Sequence, residues 1–200
     1  MLSTATPMLR LASASPRRRE LLTSIGVSVE VAPAHIDESC RDDESPEDLV
    51  TRLAREKAEA GHGHGALPTL GADTVVVCDG EIFGKPRDES HARRMLSALS
   101  GRAHRVMSAV AVIGPRGTLE CRVATQVYMR EIAAAEMAAY WATGEPRDKA
   151  GGYAVQGRAA VFVERLEGSY SAVVGLPLFE TAQLLRAQGI ALWDGVEAVS

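Results

Sequence analysis

The chain is poor in lysine: of its 22 basic residues only Lys57, Lys85 and Lys149 carry an ammonium, which leaves 19 arginines. Arginine is therefore the generic surface cation here. Each lysine calls for a local reason, because a compact ammonium and a planar guanidinium do different work. Cysteine is scarce as well. Cys40, Cys78 and Cys121 are odd in number and lack metal-ligand spacing, so the simplest reading is reduced, structural thiols rather than a disulfide framework or a zinc site. No apolar run approaches the ~18 residues of a membrane span, and no basic region followed by an apolar one opens the chain. The net charge of -4 gives no bulk attraction to nucleic acid, so any polyanionic partner must be held by a local basic cluster. These absences predict a cytoplasmic protein with neither nucleic acid nor membrane as partner.

What is present is enough for a core: 200 residues, 46% of them hydrophobic, with no internal repeat. The expected organisation is one domain over 9–190, with loose ends at 1–8 and 191–200. A local basic cluster does exist, near the start. Met8 to Ala12 reads as a short strand, Ser13-Ala14-Ser15 as a tight turn, and Ser15-Pro16 as the cap and first position of a helix. Its first turn holds Arg17, Arg18 and Arg19, which oppose the helix dipole. An anion bound to the open N–H groups at that end would offset the cost.

Further on, Val27, Val29 and Val31 alternate as a second strand, and His35-Ile36-Asp37-Glu38 opens an acidic loop. Ser45-Pro46-Glu47-Asp48 starts a helix that runs to about Ala60, where Leu49, Leu53 and Lys57 share one face. Lys57 thus either snorkels from the edge of the apolar stripe or points into a cleft. Gly61-His62-Gly63-His64-Gly65 reads as a flexible break whose two histidines lack a third ligand nearby. Thr69 to Cys78 is a strand turning through Asp79-Gly80 into Glu81-Ile82-Phe83, and Asp73 falls on the same face as Val75 and Val77. A carboxylate there is costly unless paired or bound to a metal, which makes Asp73 the best candidate for a general base or metal ligand. Lys85 follows in Gly84-Lys85-Pro86-Arg87-Asp88, which is no Walker A loop.

The remainder predicts a helix from Asp88 to Leu99, a hairpin of His104–Ile113 with Leu119–Met129, and a helix over 132–143. A glycine-rich loop holding Lys149 comes next, then a short strand with Gln156-Gly157, the segment Ala160 to Leu166, an apolar strand Ala172 to Val174 and a last helix ending near Gly189. Strands and helices interleave without a βαβ repeat. The expected class is α/β: a mixed β-sheet with flanking helices, in two lobes around a cleft. Cations, backbone donors and one or two acids brought together there suit phosphoanhydride cleavage, with a carboxylate-held Mg²⁺.

Ser13-Ala14-Ser15-Pro16-Arg17-Arg18-Arg19-Glu20-Leu21-Leu22 and Gly71-Ala72-Asp73-Thr74-Val75-Val76, with Leu53-Ala54-Arg55-Glu56-Lys57-Ala58, Lys85-Pro86-Arg87-Asp88, Leu99-Ser100-Gly101, Glu145-Pro146-Arg147-Asp148-Lys149-Ala150-Gly151, Gln156-Gly157 and Gly168-Ser169-Tyr170 through Leu178, resemble the Maf proteins, nucleoside triphosphate pyrophosphatases related in fold to the HAM1 proteins. The resemblance runs in order from about Leu9 to Gly189. It implies an elongated mixed α/β fold with a deep central cleft, hydrolysis of a nucleoside triphosphate to the monophosphate and pyrophosphate, a divalent cation (Mg²⁺ or Mn²⁺), and a homodimer. Carried over by position, Asp73 resembles the catalytic proton acceptor and Ser13, Arg17, Arg18, Lys57 and Lys85 the phosphate-binding set. Asp37 with Asp73 would hold the metal. Arg17, Thr74 and Gln156 at the specificity-associated places resemble the branch acting on dTTP and UTP, and the amide of Gln156 can offer a pyrimidine edge both donor and acceptor. The alternatives are the 7-methyl-GTP branch and a nucleotide-binding regulator of septum formation.

Overall fold

A computed structural model describes residues 6–63 and 67–193. A mixed sheet of seven strands carries the fold: β1 (Leu9–Leu11), β2 (Val29–Val31), β3 (Thr69–Cys78), β4 (Glu81–Phe83), β5 (Ala103–Gly114), β6 (Gly117–Met129) and β7 (Val163–Glu167). Their order is β2-β1-β3-β5-β6-β7, with β4 also on β3. The helices are α1 (Pro16–Ser24), α2 (Pro46–Gly61), α3 (Glu89–Leu99), α4 (Ala134–Ala142), α5 (Tyr170–Val174) and α6 (Leu178–Ala187).

Strand β3 sets the plan. One of its edges pairs with β5 from Thr69 to Val77. The other edge is shared: β1 lies parallel along Thr69 and Leu70, and β4 returns antiparallel along Val76 to Cys78. Between them, residues 71–75 have no strand on that edge, so the sheet splits there. In open α/β sheets such a split, at the carboxyl end of a parallel strand, is where ligands bind.

Alternation along β3 sorts the core into three parts. Leu70 and Ala72 lie with Val110 and Val112 under Leu22 of α1 and Leu185 of α6. On the same face beyond the split, Val76 and Cys78 join Val106, Met95 and Leu99 of α3, and Tyr140 of α4. The odd-numbered face, Val75 and Val77 with Met107, Ala109 and Ala111, is covered by Leu49, Leu53 and Ala54 of α2. The two clusters on the even face are the two lobes. Thr74 sits between them, and Asp73 sits behind it on the face under α2.

Three local readings differ. Gln156-Gly157 is not on a strand but in a turn closed by the Gly157 N–H donating to the Ala154 carbonyl at 3.0 Å. The apolar segment before Gly175 is helix α5, not strand: the Ser169 hydroxyl accepts from the Ala172 N–H at 3.2 Å, and Gly175 ends the turn at φ +132°. The segment after Ala160 begins as a 3₁₀ turn (Arg158–Phe162) before becoming β7. In the end expected to be loose from residue 191, Leu192 is buried with Leu9 and Leu11, as is Ile190 just before it, which draws the start of the tail into the core. His64 of the glycine-histidine break, residues 1–5 and residues 194–200 lie outside the described residues.

Candidate active site

Helix α2 crosses β3 at Gly71, where a Cβ would stand 2.2 Å from the Ala54 carbonyl oxygen and 2.4 Å from the Ala58 nitrogen. Only glycine lets the two backbones come so close, and the close approach puts Lys57 over Asp73. The Lys57 Nζ donates to Asp73 Oδ1 at 2.7 Å and meets Glu38 Oε1 at 2.7 Å. Lys57 and Asp73 are 7% and 8% exposed, so the acid's place on an apolar face is matched by a partner that is buried with it. Oδ2 of Asp73 receives no hydrogen bond from the described residues.

Across the split, α1 begins with no side chain capping it; Ser15 holds the cap position with its hydroxyl idle in that role. Instead Ser13 Oγ accepts from the Ser15 N–H and from Arg18 Nη1, both at 3.2 Å. Arg18 also donates from Nε to the Gly175 carbonyl at 3.0 Å and from Nη2 to Thr74 Oγ1 at 3.5 Å. Ser108 spends its proton on the Ala172 carbonyl at 2.7 Å, so Thr74 donates to Ser108 at 2.8 Å. Arg18, Thr74 and Ser108 thus form a satisfied polar belt between the two lobes.

The facing wall is the segment after α4. Asp148 Oδ2 accepts from Arg17 Nη1 at 3.4 Å, and its other oxygen holds Lys149. Together these elements enclose a cleft of about 580 Å³ lined by Ser13, Arg17, Arg18, Lys57, Asp73, Thr74, Lys85 and Gln156. Every one of those residues was marked from sequence. The three lysines of the chain, Lys57, Lys85 and Lys149, all line it, which is the local reason their scarcity asked for.

Asp37 does not join them. Its side chain is exposed at the loop surface, where Oδ1 accepts from the Ser39 N–H at 2.9 Å, and the Ser39 side chain, then its N–H, hold its pKa below the ordinary value. The loop acid that lines the cleft is Glu38. Burial alone would push the Glu38 carboxyl up, but Lys57, then Lys85 and Arg18, more than offset it and hold its pKa below normal. The correction is a matter of one residue in a loop that fixes no period. Lys149 and Asp148 were also missed as site residues; the scarcity of lysine was the signal for the first.

Among the described residues no cluster of three or more His, Cys, Asp or Glu side chains is placed to cage a metal ion. Asp73 and Glu38 nevertheless aim carboxylate oxygens at one cation, the Lys57 ammonium. Two hard oxygen donors with room for phosphate oxygens and water suit Mg²⁺ or Mn²⁺, so this pair fits a divalent ion better than the expected Asp37 with Asp73.

A sheet split into a cleft, with an open helix start, three lysines and two paired acids, defines a protein built to hold a polyphosphate. The comparisons narrow that class. The sequence profile of the Maf family (Maf-like protein) matches residues 8–188, and the chain belongs to that family. It is 55% identical to a dTTP/UTP pyrophosphatase of Alkalilimnicola ehrlichii over 90% of this chain and 92% of that one. Similar proteins of that name in Salmonella typhimurium and Escherichia coli O157:H7 are 53% and 51% identical, each over 88% of this chain and 91% of theirs. Among solved structures, a HAM1 protein from Coxiella burnetii aligns at a TM-score of 0.43 and 18% identity over 62% of this chain and 73% of that one.

Proposed function

We propose that the chain is a nucleoside triphosphate pyrophosphatase that hydrolyses dTTP and UTP to the monophosphate and pyrophosphate. The observation that carries this reading is the Lys57–Asp73 contact at 2.7 Å on the floor of the cationic cleft. A proton-accepting carboxylate is held there beside the groups that would bind phosphate. Residues 9–190 act as the catalytic domain. The resemblance to the family is what supports a homodimer, and no described helix is long and apolar enough to cross a membrane, in keeping with a cytoplasmic enzyme.

The roles follow from placement. Ser13, Arg17 and Arg18, with the open N–H groups of α1, take one part of the triphosphate, while Lys85 and Lys57 take another from the opposite side. Cations on both sides hold the anhydride in line and take up charge that grows on the bridging oxygen as it leaves. Asp73, fixed through Oδ1 by Lys57, accepts a proton from the attacking water at Oδ2. The new P–O bond forms as the bridging P–O bond breaks, and pyrophosphate departs with the electron pair. Asp73 and Glu38 would hold a divalent cation, which when bound supplies further neutralisation of phosphate charge. Thr74 fixes Arg18 between the lobes, and Gln156 offers its amide to the pyrimidine edge.

Pyrophosphate release from a panel of dTTP, UTP, purine triphosphates and 7-methyl-GTP, with Mg²⁺ or Mn²⁺, tests the reading. Asp73→Asn should lower kcat at least ~10²-fold. Equal release by wild type and variant, or a strong preference for 7-methyl-GTP, would overturn it.

A further inference from the structure

Gln156 reaches the cleft from a turn that is clamped at both ends. At the near end the Ala154 N–H donates to the Tyr140 hydroxyl at 3.1 Å. At the far end the Arg158 N–H donates to Glu145 Oε2 at 3.1 Å. The clamp itself is closed by the Tyr140 hydroxyl, which donates to Glu145 Oε1 at 2.8 Å. One tyrosine–carboxylate pair therefore satisfies the backbone on either side of Val155, Gln156 and Gly157. The carboxylate sits so near the turn that a Cβ on Gly157 would stand 2.5 Å from both its oxygens. Both members of the pair come from outside the cleft lining. Tyr140 is fixed in the core of α4, edge-on to Phe162 with ring centroids 5.5 Å apart, and Glu145 opens the 3₁₀ turn (Glu145–Asp148) that leads to Lys149.

We infer that Glu145, braced by Tyr140, is a positioning residue for base discrimination: it sets the height and angle at which Gln156 presents its amide to the nucleobase. This rests on the reading above that Gln156 faces the pyrimidine. A side-chain amide discriminates only when its donor and acceptor are held in register with the base edge, since a loose amide pairs with any edge. The clamp needs two acceptor oxygens on residue 145, one for the tyrosine hydroxyl and one for the Arg158 N–H. A glutamine of the same size supplies one acceptor and one donor, so it cannot accept from both the Tyr140 hydroxyl and the Arg158 N–H, and the clamp is loosened while the packing volume is kept.

The test measures kcat and KM for UTP and dTTP against ATP and GTP in wild type, Glu145→Gln, Tyr140→Phe and Gln156→Ala, with thermal unfolding to check each fold. Glu145→Gln is expected to lower the pyrimidine-to-purine ratio of kcat/KM about tenfold, through KM, with kcat for UTP within about threefold of wild type. Tyr140→Phe should shift the ratio in the same direction. If Gln156→Ala loses discrimination while both clamp variants keep it, the inference is wrong and the reading of Gln156 stands. If Gln156→Ala keeps discrimination, that reading fails and takes the inference with it. A fall in kcat that is equal for all four nucleotides would reduce Glu145 to a structural part and also overturn the inference.

Discussion

Lys57 and Lys149 face one cleft from opposite walls, each paired with a carboxylate, yet their settings differ in kind. Lys57 is 7% exposed, on a sixteen-residue helix pressed backbone to backbone onto β3. The partner of Lys149, Asp148, has 62% of its side chain exposed and sits in a four-residue 3₁₀ turn. The first wall is rigid because its geometry is the geometry of the core. The second is a run of turns, with Gly144, Gly151 and Gly152 all at positive φ, anchored on the sheet by Tyr153 and Val155 rather than by a regular element. Chemistry belongs on the first wall, where a misplacement of 1 Å is costly; recognition of a variable base can be left to the second.

The comparison can be broken most severely at Gly71. Gly71→Ala drives a methyl group into the backbone of α2, which cannot yield as a side-chain end would. We expect a loss of about 3 kcal/mol in stability by urea unfolding, at the upper end for overpacking. At a temperature where the variant is still folded, kcat should fall at least ~10²-fold as Lys57 is lifted from Asp73. Unchanged kcat in a folded Gly71→Ala protein would show that the close crossing does not set the site.

The same contrast decided what could be read in advance. The Leu49, Leu53, Lys57 spacing and the alternation around Asp73 are periodic, so the first wall was legible residue by residue: α2 begins at the Ser45-Pro46 signal, and β3 spans Thr69–Cys78 as expected. The convergence of these elements with α1 was legible only through the family resemblance, because nothing in spacing reports that β3 lends one edge to two different strands. The second wall has no period. A turn at Gln156, a helix at Tyr170–Val174 and the difference between Asp37 and Glu38 rest on single hydroxyl, amide and glycine contacts, for which strand propensity of the valines was a poor guide.

The fastening of the second wall gives a test by pH. His104 on β5 is buried, and its Nε2 shares a proton with the Tyr153 hydroxyl at 2.7 Å, tying the turn segment to the sheet. Burial lowers the His104 pKa from 6.5 to about 4. A depressed histidine stays neutral in the folded protein while the unfolded chain takes up a proton, so its stabilising effect is complete above pH 6.5 and is lost as pH falls toward 4. The loss is on the order of 3 kcal/mol. His104→Gln, which keeps a partner for Tyr153 and does not titrate, should hold its urea midpoint between pH 6.5 and 4.5, where wild type declines. Parallel declines in both proteins would remove His104 from the account.

The smallest effect is expected at Asp148, and it sharpens the contrast most directly. This carboxylate touches both Arg17 and Lys149, so in the absence of substrate it occupies the attention of two cations that face the cleft. Burial alone would raise its pKa, but Lys149 and Arg17 together hold it below normal, so it is charged at neutral pH. An incoming phosphate must compete with it. Because the Asp148 carboxylate is itself exposed, Asp148→Asn should change stability by less than about 0.5 kcal/mol. It should lower KM for UTP about threefold at low ionic strength, and the gain should fade as salt screens the competing charges. A rise in KM instead would mean that Asp148 orients the two cations rather than competing for them, and the second wall would then be as preorganised as the first.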